Sequence, residues 1–243
     1  MHFLFILVVS FGIIVPTASA SVITAAQSPW PPFINDDDAN PGLVVEIVTA
    51  AYQTQGYELQ FDVLPWLRAL KSAKTTRIDV IPALWYTRKR SKHYLYSDAY
   101  LVNEITFVKR ASDPFKYSGV SSLDGKKVGG IGAYHYDSVF LSAQNVEKIT
   151  ADRLMVNLKR LISGHIDLAV SDRIVASHTI KQSSLSASHF AFSDTSLSTT
   201  PLYLAISVHH PNAQRYVDAF NQGLAEIKRN GQLRRIEVKY GID

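Results

Sequence analysis

The chain contains no cysteine. No disulfide can staple the fold and no N-terminal cysteine can carry a lipid, so a secreted product depends on its packed core alone. Residues 1–20 contain no Asp, Glu, Lys or Arg, which places the whole net charge of +4 in the residues that follow. The apolar run at residues 3–15 is too short to span a bilayer. Pro16 and Ala18-Ser19-Ala20 come after it, and the pattern predicts a secretory signal peptide at residues 1–20, cleaved after Ala20. Its n-region offers only His2 and the terminal amine as cations, so an uncleaved membrane anchor is the alternative. The mature protein is expected in the periplasm, soluble and not lipid-anchored.

Other absences narrow the chemistry. The eight histidines show no HExxH spacing, Gly130-Ile131-Gly132 lacks the third glycine of a dinucleotide fingerprint, and no nucleophile elbow is present. In the acidic run at residues 36–42, Pro41 stands where a calcium loop needs glycine, so a solvated turn is expected. No basic stripe interleaved with aromatics supports nucleic-acid binding. No cofactor, metal or nucleic acid is expected, and the surplus positive charge suits an anionic ligand or a membrane partner.

What is present reads as alternating elements. Residues 22–26 suggest a strand, residues 43–52 carry apolar side chains at one-face helical spacing, and residues 57–63 alternate as a second strand. This β-α-β start predicts a parallel sheet. A short helix at 66–73 precedes a strand from Asp79 onward. A new unit then begins, with strands at 126–131 and 166–170 and helices at 136–143 and 154–162. Extended segments at 105–109 and 202–208 bracket it.

The segment from Asp79 to Tyr100 concentrates the polar chemistry. Val80, Ile81, Ala83 and Leu84 make an apolar strand in which Pro82 limits ladder hydrogen bonding. Trp85, Tyr86, Thr87 and Arg90 follow at its carboxyl end, where open α/β sheets bind ligands. Arg90 offers a fork of N–H donors to a carboxylate, Thr87 a hydroxyl, and Trp85 or Tyr86 a flat wall. Arg88, Lys89 and Lys92 crowd the same stretch, so a solvated basic turn is the competing reading.

Several motifs in order resemble the family 3 periplasmic solute-binding proteins, the amino-acid-binding type that serves ABC transporters. The likeness starts at Pro31-Pro32-Phe33 and Gly42-Leu43. It continues through Pro65-Trp66-Leu67-Arg68-Ala69-Leu70, Thr87, Arg90 and Ser97-Asp98-Ala99-Tyr100. It resumes at residues 122–129, at Ser163-Gly164-His165-Ile166-Asp167, at Ser171-Asp172 and at residues 219–240, which are similar to the family's closing helices. The resemblance implies an α/β, two-lobed periplasmic binding protein fold of type II-like form, two mixed lobes joined by two crossing hinge strands. Lobe 1 would hold residues 21–107 and 205–243, with lobe 2, residues 108–204, inserted. A single continuous sheet with an insertion is the alternative.

The resemblance also implies a site. Arg90 with Thr87 would clamp a ligand carboxylate, and the turn at Gly132-Ala133 would donate backbone N–H groups to it. Asp172 would take an ammonium group; capping the turn after it, or bridging to Arg173, is its alternative role. Phe33 would stack on the ligand. Trp66 would either floor the pocket or pack in the core, and Tyr134 and Tyr136 flank the second-lobe turn. The stretch from Asp79 to Thr87 is one residue short of the usual pattern, with Trp85-Tyr86 in place of smaller residues, and Ala133 lacks a common hydroxyl. The implied function is capture of a small carboxylate-bearing solute, an amino acid or related polar metabolite, by a monomer that delivers it to an inner-membrane permease or sensor. The alternative is a dehydratase-like enzyme acting on a cyclic carboxylate, with Asp172, Glu104 or His135 as general acid.

Overall fold

The structure, a computed structural model, describes residues 21–132, 134 and 136–242. The expectations for residues 1–20, Ala133 and His135 lie outside them.

The chain opens with β1 (Ser21–Gln27), α1 (Leu43–Thr54), β2 (Tyr57–Val63), α2 (Trp66–Lys74) and β3 (Val80–Trp85). β1 pairs in parallel with both β2 and β3, as the β-α-β pattern requires. The Pro-Pro-Phe loop and Gly42 form one device. The carbonyls of Pro32 and Phe33 accept from the N–H groups of Leu43 and Val44 at 3.0 and 2.9 Å, covering the open amino end of α1. Gly42 has φ 103°, and a Cβ there would stand 2.6 Å from the Phe33 carbonyl oxygen.

Pro82 falls at a break in the ladder. β10 (Ser198–Ser207) runs antiparallel to β3, and its register slips between Tyr203 and Ala205, opposite the stretch that holds Pro82. The displaced groups find partners elsewhere: Ala83 N–H donates to Gln27 Oε1 at 3.0 Å, and Leu204 N–H donates to Ser97 Oγ at 3.0 Å. The Tyr100 hydroxyl donates to the Pro82 carbonyl at 2.7 Å, so the Ser97-Asp98-Ala99-Tyr100 motif holds the irregular strand in place.

β4 (Tyr94–Tyr96) pairs with β10, and β5 (Leu101–Arg110) carries the chain across. The second unit holds β6 (Lys127–Ile131), α3 (Ser138–Ser142), β7 (Glu147–Ala151), α4 (Leu154–Ile162), β8 (Leu168–Asp172), α5 (Arg173–Lys181) and β9 (Phe190–Phe192). After β10 the chain closes with α6 (Ala213–Arg229) and α7 (Gln232–Lys239), which pack on α1. Gly223 permits that approach, since a Cβ there would lie 2.0 Å from the Ala51 carbonyl oxygen.

The strands follow the order β2-β1-β3-β10-β5-β8-β6-β7. β5 and β10 pair with each other from Leu101 to Ile105; β10 then continues along β3, and β5 continues along β8. Hydrogen bonding is therefore continuous along the sheet, while the cores are not. Two apolar clusters built on β1, β3, α1, α2 and α6 lie to one side of the crossing strands. Two built on β6, β8, α3 and α4 lie to the other. The lobe boundaries expected near 107 and 205 fall inside β5 and β10. Elements without a sequence expectation are β4, β7, β9 and α5. No helix among the described residues is long and apolar enough to cross a membrane.

Candidate functional site

A cleft of about 480 Å³ opens between the two groups of clusters. Trp30, Trp66, Trp85 and Arg90 line it from one side, Gly132, Tyr134 and Asp152 from the other. The aromatic rings are linked in series: Trp30 and Trp85 meet edge to face with centroids 5.9 Å apart, and Trp85 meets Tyr134 at 5.9 Å. Trp85 also packs against the cores on both sides of the crossing strands.

Arg90 is set by the turn that follows β3. Thr87 Oγ1 accepts from the Arg90 N–H at 3.1 Å, and the guanidinium donates from Nη1 to the Trp85 carbonyl at 3.1 Å. Its carbon lies 5.7 Å from the centroid of the Trp66 ring. No carboxylate pairs with Arg90 among the described residues. Burial pushes its pKa below the usual arginine value, the expected response of a desolvated cation without a counter-ion.

The expected site residues separate into two groups. Trp66, Trp85, Arg90, Gly132 and Tyr134 line the cleft. Thr87 does not; it holds the turn that presents Arg90. Tyr86 is 55% exposed and packs at a tilt against Tyr96 with centroids 5.4 Å apart, outside the cleft. Phe33 is 1% exposed, because its carbonyl covers α1 and its ring is drawn into the core beneath Trp30, at 4.6 Å. Trp30 occupies the wall where Phe33 was expected. Tyr136 is buried in the second-lobe core, its hydroxyl accepting from Ile131 N–H at 2.9 Å. The Gly132 N–H donates to the Ala151 carbonyl at 3.1 Å, so β7 already takes the donor expected to face a ligand.

Asp172 lies at the end of β8, is 5% exposed and does not line the cleft. It caps α5 by accepting the Val175 N–H at 2.9 Å, and its other oxygen accepts Nδ2 of Asn103 at 3.0 Å. Asn103 Oδ1 in turn accepts the indole N–H of Trp85 at 2.7 Å. Burial pushes Asp172 up to about 6, against the pull of those hydrogen bonds. Arg173 pairs with Glu104 at 2.7 Å rather than with Asp172. That bond, with another from Ser196, holds the Glu104 carboxyl below its usual range.

Sequence reasoning passed over Trp30, Asn103 and Asp152. Trp30 stands beside the Pro-Pro-Phe motif, and Asn103 is the polar member of the inward alternation of β5, between the half-buried Leu101 and the buried Ile105 and Phe107. Asp152 follows β7, for which the sequence held no expectation.

Residues 22–243 match the model of the bacterial extracellular solute-binding proteins, family 3. The chain belongs to that family. Among curated relatives, the L-cystine-binding protein TcyJ of Escherichia coli (strain K12) is 25% identical over 230 residues, covering 92% of this chain and 84% of that protein. Among solved structures, an ancestral arginine-binding protein bound to arginine superposes with TM-score 0.76 at 20% identity, covering 92% of this chain and 100% of the other. The ancestral amino-acid-binding protein AncCDT-1, a precursor of cyclohexadienyl dehydratase, gives 0.73 at 17%, covering 91% and 95%. These likenesses show the two-lobed α/β fold that family 3 members share, and solute binding for ABC transport as the family's work.

Proposed function

We propose that this family 3 chain is a periplasmic binding protein that captures a small carboxylate-bearing solute between its lobes and presents it to an inner-membrane permease or sensor. The single observation that carries this reading is Arg90: a partly buried guanidinium in an aromatic cleft, with no carboxylate partner among the described residues. A desolvated cation of this kind is complementary to an anion that enters and is shielded from water with it. Lobe 1, residues 21–107 and 205–243, supplies Arg90, Trp30, Trp66 and Trp85, and lobe 2, residues 108–204, supplies Tyr134. A ligand touching both would favour closure about β5 and β10. The relatives named for cystine and arginine agree with a carboxylate-bearing solute.

The dehydratase-like alternative asks for a general acid facing the cleft. Glu104 is committed to Arg173 and Ser196, and Asp172 to Val175 and Asn103, so both carboxylates are already engaged; His135, the third candidate, lies outside the described residues. Capture without turnover is the reading we adopt. A thermal-shift screen of the purified protein against amino acids, keto acids and peptides tests it. A ligand at about 100 times its dissociation constant raises stability by about 2.7 kcal/mol, and no response to any carboxylate would overturn the reading.

A further inference from the structure

The break in the β3–β10 ladder at Pro82 also sets a group inside the cleft. Ala83 N–H, displaced from that ladder, donates to Oε1 of Gln27 at 3.0 Å. A backbone N–H can only donate, so the side-chain amide must turn its oxygen toward β3 and its nitrogen away from it. Gln27 ends β1, lines the cleft and is only 4% exposed, and its Nε2 finds no acceptor among the described residues. That nitrogen is not sealed from solvent, since the buried side-chain polar atoms without a partner are Trp30 Nε1 and the Tyr96 hydroxyl. Both N–H groups of a fixed amide are therefore left to the cleft. Trp30, three residues along the same loop, adds an indole N–H that is buried and lacks an acceptor.

The rest of this wall has the same character. Its polar side chains among the described residues are Gln27, Ser28, Trp30, Trp66, Trp85 and Arg90. Indoles and the guanidinium donate only, and Gln27 has spent its acceptor on Ala83, which leaves the Ser28 hydroxyl as the one side-chain acceptor. A solute seated here must bring acceptors. Arg90 is the single cation among the described residues lining the cleft, so a second buried carboxylate would lack a counter-ion. A cationic tail would meet donors and a like charge.

From this we infer that the solute carries, besides the carboxylate taken by Arg90, a neutral hydrogen-bond acceptor such as an amide or ureido carbonyl, and that Nε2 of Gln27 receives it and sets specificity for it. The inference rests on the carboxylate-binding reading above and names the ligand's second group. A site built to hydrogen-bond such a group discriminates against analogues that lack it, because its buried donors are then left unpaired.

The test is calorimetric titration of the wild-type protein with L-citrulline against L-arginine and with L-glutamine against L-norleucine. All four carry the same groups on the α-carbon, so only the tails differ: a ureido carbonyl against a guanidinium, and an amide against an alkyl chain. In each pair that binds, the acceptor-bearing member is expected to bind at least roughly tenfold more tightly. Equal affinities within a pair would overturn the acceptor tail while leaving carboxylate capture standing. Arginine ahead of citrulline would overturn it too, and would seat the tail on Asp152, the acid of the opposite wall. If none of the four binds, the acceptor tail falls, and the wider carboxylate screen alone decides the reading beneath it. Gln27→Glu provides an independent arm, since it keeps an oxygen for Ala83 N–H and replaces the free donors with an acceptor. In a variant that still melts cooperatively, the preference should move from citrulline toward arginine, and an unchanged ratio would contradict the role given to Gln27. Should that variant not fold, Gln27→Met, which has no donor, should bring each pair close to equal affinity, and a retained tenfold preference would contradict the role in the same way.

Discussion

The indole N–H of Trp85 donates to Oδ1 of Asn103 at 2.7 Å, and this one bond ties the cleft wall to the crossing strand β5. It also fixes the orientation of the amide. Trp85 can only donate and an ionised Asp172 can only accept, so Asn103 must turn its oxygen to the first and its nitrogen to the second. The fully buried Asn103 thus joins a cleft residue to the cap of α5.

Replacing that amide should therefore be costly. Asn103→Leu keeps the branched side-chain shape but strands a half-buried indole N–H and a buried carboxylate oxygen, each worth about 1–3 kcal/mol when unsatisfied. Urea unfolding should show a loss of roughly 2–4 kcal/mol with an unchanged m-value. A loss below about 0.5 kcal/mol, the scale of an ordinary surface substitution, would mean that the relay contributes nothing.

Asp172 makes the stability of the protein depend on pH in a direction opposite to most carboxylates. Its pKa is pushed up to about 6 in the folded state, by burial first, while an unfolded aspartate titrates near 3.9. The folded state binds this proton more tightly. The contribution is fully present below about pH 3.9 and is lost as pH rises through about 6. Glu104 and Arg173 sit next to it as a pair of their own, so the wild type is best compared with Asp172→Asn, which cannot titrate. The stability difference, wild type minus variant, should fall by about 2 kcal/mol between pH 4 and pH 7. A flat difference would show that Asp172 ionises without a desolvation penalty.

Two glycines separate backbone strain from steric conflict. Gly56 has φ 76° with nothing within 4 Å of a Cβ, whereas Gly42 has φ 103° and would set its Cβ 2.6 Å from the Phe33 carbonyl oxygen. Gly56→Ala should cost about 1 kcal/mol, the price of a left-handed alanine. Gly42→Ala should cost more, at least about 2–3 kcal/mol, and should weaken ligand binding by moving the loop that carries Trp30. Equal losses in thermal unfolding would contradict the coupling of that loop to α1.

Much of the fold was legible because the periodicities are local. α1, β2, α2 and α4 follow from apolar spacing alone, and the bounds of β2 and α4 coincide with those expected. β7 was not legible, since EKITA is a short strand with exposed polar residues at one end of the sheet. α5 begins where β8 ends because the aspartate weighed as a ligand contact is also a helix cap, and a sequence cannot show which role its two oxygens fill. The cleft was legible at Arg90, Trp66 and Trp85. It was misread at Phe33, where two aromatics three residues apart across a tight loop pack on each other, the outer one, Trp30, lining the cleft and the inner one entering the core. Asp172 does not line the cleft; it caps α5 and bonds Asn103, which in turn accepts the indole N–H of Trp85.

If Arg90 is the anion-binding group of the cleft, calorimetric titration of the wild type beside Arg90→Ala will show it. The best-bound carboxylate from the screen is used for both proteins, with thermal melts to confirm that the variant is folded. Removing one partner of a desolvated charge pair typically costs about 2–5 kcal/mol, so the account predicts a loss of affinity of roughly 30-fold or more in a protein that still unfolds cooperatively. Affinity retained within about threefold, equivalent to about 0.65 kcal/mol, would return Arg90 to the solvated basic turn and contradict the account.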